Sequence, residues 1–180
     1  MQHTLTCVTP AVVVSDPRGG PNPRTAGYLT LSTYPARLGG GVGLSLGVGI
    51  GYAVVPRPVG AKTWEAEVSS YSYPFLLPDL RESFAYHWHP HVAEVAYPHL
   101  HLGPAAVQSG VLERAGLSAL ANALRSDVAG AHFPTGPVAL ETVLWLAITQ
   151  FGAEPLRPDW RRLLPAPGSG SFTTPSTPLS

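Results

Sequence analysis

"LGGGVGLSLGVGIGYAVV", residues 38–55, is the stretch on which the fold turns. No charge interrupts it between Arg37 and Arg57, and that length suits a membrane helix. Its pattern does not. Seven glycines weaken a helix, and the apolar residues recur with period two. Val42, Leu44, Leu46, Val48, Ile50, Tyr52 and Val54 fall on one face. Gly41, Gly43, Ser45, Gly47, Gly49, Gly51 and Ala53 fall on the other. Strict alternation is the period of a strand. A single strand of this length would be unusual, so a bend or bulge at one of the glycines is expected. The bare face lets another backbone approach closely. The stretch is no phosphate loop, since the Lys and Ser/Thr of that motif are absent and the dinucleotide spacing does not fit.

The same period recurs on both sides. Upstream, "VVVSDPRGGPNPR" (12–24) reads as a short apolar strand followed by a turn-rich loop. "AGYLTLSTY" (26–34) puts Leu29 and Leu31 on the expected core side and Tyr28 and Thr30 on the other. Downstream, "TWEAEVSSYSY" (63–73) alternates Trp64, Ala66 and Val68 with Glu65 and Glu67. "LPDLRESF" is a turn. "SFAYHWH" (83–89) sets Phe84, Tyr86 and Trp88 against Ala85, His87 and His89, and "PHLHL" (98–102) sets Leu100 and Leu102 against His99 and His101.

After Gly103-Pro104 the period becomes helical. "AAVQSGVLERAGLSALANALRS" (105–126) carries spaced leucines, with a break near Gly116 and Ser118. "TGPVALETVLWLAITQFG" (135–152) has Thr135 to cap, Pro137 for the first turn, Glu141 early against the dipole and Gly152 to close it. "RPDWRRLL" starts a short helix at Asp159. Strands followed by helices predict an α+β fold: an antiparallel β-sheet with C-terminal helices packed on one face. The expected organisation is a loosely structured N-terminal segment (1–37), a single α+β domain (38–164) and a disordered tail (165–180) rich in Pro, Ser, Thr and Gly.

Bulk properties narrow the function. Eleven basic residues balance eleven acidic ones, so no global field draws the chain onto nucleic acid and any such binding needs a local patch. Cys7 is the only cysteine, which excludes an internal disulfide and a multi-Cys zinc site. "MQHTLTCVTPAVVVSDP" lacks the basic region and the apolar length of a secretory signal, so a cytoplasmic location with no membrane partner is expected.

"YHWHPHVAEVAYPHLHL" (86–102) holds five of the seven histidines. Residues i and i+2 of a strand share a face. His87 and His89 therefore point together, as do His99 and His101, and pairing of the two segments would bring four imidazoles onto one patch. Near neutrality one imidazole can act as base and another as acid, equipment sufficient for in-line cleavage of a phosphodiester. Tyr86 and Tyr97 are candidates to assist, and Arg81 to hold a phosphate. The same four histidines could instead bind a divalent transition metal such as zinc, with Glu94 completing the set. A third reading has no chemistry: an interaction module presenting the 40–54 strand or the helix bearing Trp145, Leu146 and Phe151. His3 and His132, which stand apart, read as structural or incidental.

Two family resemblances attach to these residues. His87-Trp88-His89-Pro90-His91 fits the HxHxH of histidine-triad nucleotide hydrolases, although Pro90 interrupts the strand that motif needs. A longer stretch, about 62–104, resembles the TumE-type toxin family of prokaryotic toxin–antitoxin systems, whose members run strands into an aromatic-His segment, a Pro-His-x-His end and a helix. The corresponding stretches are "FAYHWHP" and "YPHLHLG". The resemblance implies a toxin-like ribonuclease needing no cofactor, an RNA substrate and an antitoxin protein as partner. The Gly-rich N-terminal half and the long helical C-terminal part depart from a compact toxin.

Overall fold

The computed structural model describes residues 1–16, 26–40, 43–56, 64–90, 95–103 and 132–166. It shows an α+β fold built on an antiparallel sheet. The strands are β1 (Val13–Asp16), β2 (Ala26–Leu31), β3 (Ala36–Arg37), β4 (Ser45–Leu46), β5 (Gly49–Pro56), β6 (Trp64–Leu76), β7 (Glu82–Trp88), β8 (His99–Leu102) and β9 (His132–Pro134). Their spatial order is β1-β2-β5-β6-β7-β8-β9, with β4 also against β6 and β3 against β4. Three helices are described: α1 (Gln2–Leu5), α2 (Leu140–Thr149) and α3 (Trp160–Leu163).

The glycine-rich stretch forms two strands, β4 and β5, that both pair with β6. The chain breaks between them at Gly47 and Val48, and the β5–β6 register shifts again between Gly51 and Tyr52. On its apolar face Leu44, Leu46, Val48 and Ile50 are buried. Side chains approach its bare face: Pro78 at Gly43, Pro74 and Tyr34 at Gly47, Tyr28 at Gly49 and Ser70 at Gly51. The Tyr28 hydroxyl lies where a Cβ on Gly49 would stand, so any side chain there would displace the ring.

One core joins sheet and helices. Leu46, Val48, Ile50, Tyr71, Tyr73 and Phe75 from the sheet cluster with Leu140, Val143, Leu144 and Ala147 of α2. Those α2 residues stand at i, i+3, i+4 and i+7, one stripe of a helix. Phe151, just beyond α2, packs its ring 5.4 Å from Phe75 and 5.1 Å from Phe84. The Val138 N–H donates to the Tyr71 hydroxyl at 3.0 Å. The helix starts later than its capping signals predict: Ala139 is the N-cap and Thr135 makes no cap. Instead the Thr135 N–H donates to the Pro98 carbonyl, which ties the chain to the β8–β9 edge. At the other end Gly152 takes a φ of +69°, and Ala153 reaches back to the Ala147 carbonyl.

Within the expected loose segment at 1–37, the described residues 1–16 and 26–37 carry strands and core side chains. Leu5, Cys7 and Val8 are almost fully buried, with Ala11, Leu31 and Ala36 beside them. β1 and β2 extend the sheet, and the Leu156 N–H donates to the Cys7 carbonyl. Pro, Ser and Thr make the segment read as loop, yet α1 contacts both α2 and α3 and the segment's apolar residues join the core. Burial pushes the Cys7 thiol up from its ordinary range. The first half of β6 also departs from its pattern: Trp64 to Val68 are exposed on both faces, because the long strand runs past the core. The expected helix at 105–126, and all of the expected tail but Pro165 and Ala166, lie outside the described residues.

Candidate functional site

β7 and β8 pair antiparallel, with His87 opposite His99, Ala85 opposite His101, Tyr86 opposite Leu100 and Phe84 opposite Leu102. This register sends the imidazoles to one face and the aromatic residues to the other, as period two requires. Phe84, Tyr86 and Trp88 pack against the core. On the histidine face the β6 neighbours are Ser72, opposite His87, and Pro74, opposite Ala85.

The rings lie in contact. The His87 centroid is 5.6 Å from His89, 5.7 Å from His99 and 5.9 Å from His101. A fifth imidazole joins them. β9 places His132 opposite His101, and its ring lies 4.7 Å from His99 and 5.1 Å from His101. The sequence reading set His132 apart as incidental. It missed the residue because β9 is a three-residue strand far along the chain from β8, and period two inside one segment does not reveal its partner.

Two rings are held by oxygen. The His99 Nδ1 lies 2.9 Å from the Tyr97 carbonyl, and the His101 Nδ1 lies 2.7 Å from Glu82 Oε1. Both oxygens are acceptors, so both Nδ1 atoms carry the proton. In the neutral ring the lone pair then sits on Nε2. His99 is only 2% exposed, and the Tyr97 carbonyl satisfies one of its nitrogens. Burial pushes His87 down to about 4, with His89, His101, His99 and His132 adding repulsion. Burial, and after it His99, lowers His89 in the same direction. His87 is therefore neutral at pH 7, a proton acceptor rather than a donor.

The other expected residues scatter. Tyr86, named as a catalytic assistant, lies on the core face with its ring edge-on to Phe84, so the sheet separates it from the imidazoles. Its strand parity alone forbids the role. Arg81, the expected phosphate ligand, sits in the turn before β7 with its guanidinium paired to Asp79 at 2.7 Å. Tyr97 is at the rim, with its ring 6.1 Å from His99. His3 lies in α1, while His91 and Glu94 fall outside the described residues. As the rings stand, no three His, Cys, Asp or Glu side chains among the described residues form a group that could hold a metal ion. Trp145 and Phe151 are partly buried and pack against the core, and Leu146 is likewise of intermediate exposure. No helix among the described residues is long and apolar enough to cross a membrane.

In comparisons with known proteins, no family model, no curated protein and no solved structure matches the chain.

Proposed function

We propose that the chain is a ribonuclease that cleaves a phosphodiester by histidine acid–base catalysis, without a cofactor, as the toxin of a toxin–antitoxin pair. The observation that carries this reading is the contact of His87 with three further imidazoles within 5.9 Å. Groups that close can serve one substrate as proton acceptor and proton donor. The resemblance of residues 62–104 to TumE-type toxins supplies the substrate class, and with it a cytoplasmic site of action and an antitoxin partner.

The reaction balances without a metal. A neutral imidazole takes the proton of a ribose 2′-hydroxyl, whose oxygen then bonds to the adjacent phosphorus. The bond from phosphorus to the 5′-oxygen breaks, and that oxygen takes a proton from an imidazolium. The products carry a 2′,3′-cyclic phosphate and a 5′-hydroxyl.

The test is incubation of the purified chain with single-stranded RNA, followed by analysis of the ends formed. Cyclic-phosphate ends, lost in His87→Ala and His99→Ala, are the expected result. Induced expression in a bacterial host should arrest growth, with relief by His99→Ala or His101→Ala. Intact RNA together with unimpeded growth would overturn the reading.

A further inference from the structure

Strict alternation along β7 sends Phe84, Tyr86 and Trp88 to the core, and would send Glu82 there as well. Glu82 goes elsewhere because the strand is bulged. The β6–β7 pairing runs from Phe75 opposite Phe84 directly to Leu76 opposite Glu82, which leaves Ser83 unmatched. A bulge of this kind re-aims the side chains beyond it. Glu82 lands on the imidazole face and accepts the hydrogen bond from His101 Nδ1.

The neighbouring backbone fits the bulge. The Gly103 N–H donates to the Ser83 carbonyl at 2.8 Å, and a Cβ on Gly103 would collide with the Glu82 carbonyl oxygen. The His101 and Glu82 side chains are 24% and 29% exposed, so water screens the pair only in part. The groups facing His101 are Glu82 and His87 from β7 and His132 from β9, with His99 two residues away on its own strand. Glu82 is the anion among them. His87, by contrast, faces the imidazoles of His89, His99 and His101.

We propose that Glu82 is a positioning residue that makes His101 the proton donor of the cluster and leaves His87 as its proton acceptor. The assignment rests on the acid–base reading above. The carboxylate holds the His101 ring by Nδ1 and offsets the charge of its imidazolium, so the proton for the leaving 5′-oxygen comes from Nε2. His87 takes the proton of the 2′-hydroxyl.

The experiment follows the full chain, labelled with ¹⁵N-histidine, by long-range ¹H–¹⁵N NMR across pH, in parallel with cleavage of single-stranded RNA. Glu82→Ala should remove the Nδ1–H preference of His101 and slow turnover by roughly 10- to 100-fold. Glu82→Gln keeps an acceptor oxygen but loses the charge, so it should retain the tautomer and still turn over more slowly than wild type. It also carries the test if Glu82→Ala fails to fold. An unchanged His101 tautomer in Glu82→Ala would overturn the proposal, as would wild-type turnover in both variants. Inactive wild-type protein in which Glu82→Ala still alters His101 would sink the nuclease reading and uphold the positioning role.

Discussion

His87 and His99 stand directly opposite each other across the β7–β8 ladder, with ring centroids 5.7 Å apart and planes at 88°. Burial disfavours a proton on His87, and the neighbouring imidazoles add to that cost. This gives stability a defined dependence on pH. The folded His87 titrates at about 4, against an ordinary value of 6.5. Between those values the unfolded chain binds more protons than the folded one, so stability is lost as pH falls from 6.5 to 4. His89 is shifted the same way and adds to the loss. Urea midpoints measured from pH 8 to pH 4 should be flat at the top and fall below pH 6.5. His87→Gln should flatten the fall, and an equal slope in variant and wild type would show that His87 is not held neutral.

His132 provides a second prediction. Its side chain is exposed on a short strand at the end of the described sheet order, yet its ring touches both His99 and His101. An exposed side chain contributes little to stability, typically within about 0.5 kcal/mol. His132→Gln should leave the thermal midpoint nearly unchanged and slow RNA cleavage by about tenfold or more. Full activity would remove His132 from the site.

Much of this arrangement was legible in the residues. Period two placed His87, His89, His99 and His101 on one face and Trp88 on the other, and the same rule read the 38–55 stretch as strand. Three things were not legible, each for a physical reason. The bulge at Ser83 reverses parity, so Glu82 reads from sequence as a turn residue or a core-facing one. The pairing of β9 with β8 is a tertiary contact that no local period encodes. The burial of Leu5, Cys7 and Val8 is set by the gap they fill, while the Pro- and Thr-rich composition around them reads as loop. Tyr86 is a different case: its parity already placed it on the core face, opposite the histidines it was expected to assist.

The N-terminal segment is predicted to be part of the cooperative fold. Leu5 has no exposed surface and sits in the same core as Leu144 and Trp160. Truncating such a residue removes its burial and leaves a cavity, so Leu5→Ala should cost about 2–5 kcal/mol. Chemical denaturation should show one transition at a lower midpoint. A change below about 0.5 kcal/mol, the range of surface substitutions, would mean that the segment is an appendage.

Metal removal separates the two uses of an imidazole cluster. Acid–base catalysis by His87 and His101 needs no ion, so cleavage should continue unchanged in excess chelator. Added zinc should inhibit by competing with protons for imidazole nitrogens that the reaction uses. Activity that vanishes in chelator and returns with a stoichiometric transition metal would replace acid–base chemistry by metal catalysis.

Gly103 tests the bulge that aims Glu82. Its missing side chain leaves room for the β7 backbone at Glu82, where the Gly103 N–H also bonds the Ser83 carbonyl. Gly103→Ala must push that backbone away, at an overpacking cost of about 1–3 kcal/mol. The displacement reaches the Glu82 carboxylate and so the His101 ring. Cleavage should therefore fall further than stability alone explains. Leu144→Ala, a core variant that costs about 2–5 kcal/mol, is the control. Assayed at a temperature where both variants remain folded, Gly103→Ala should be slower by about tenfold or more, while Leu144→Ala keeps nearly wild-type turnover. Equal turnover in the two variants would show that the bulge has no part in setting the site.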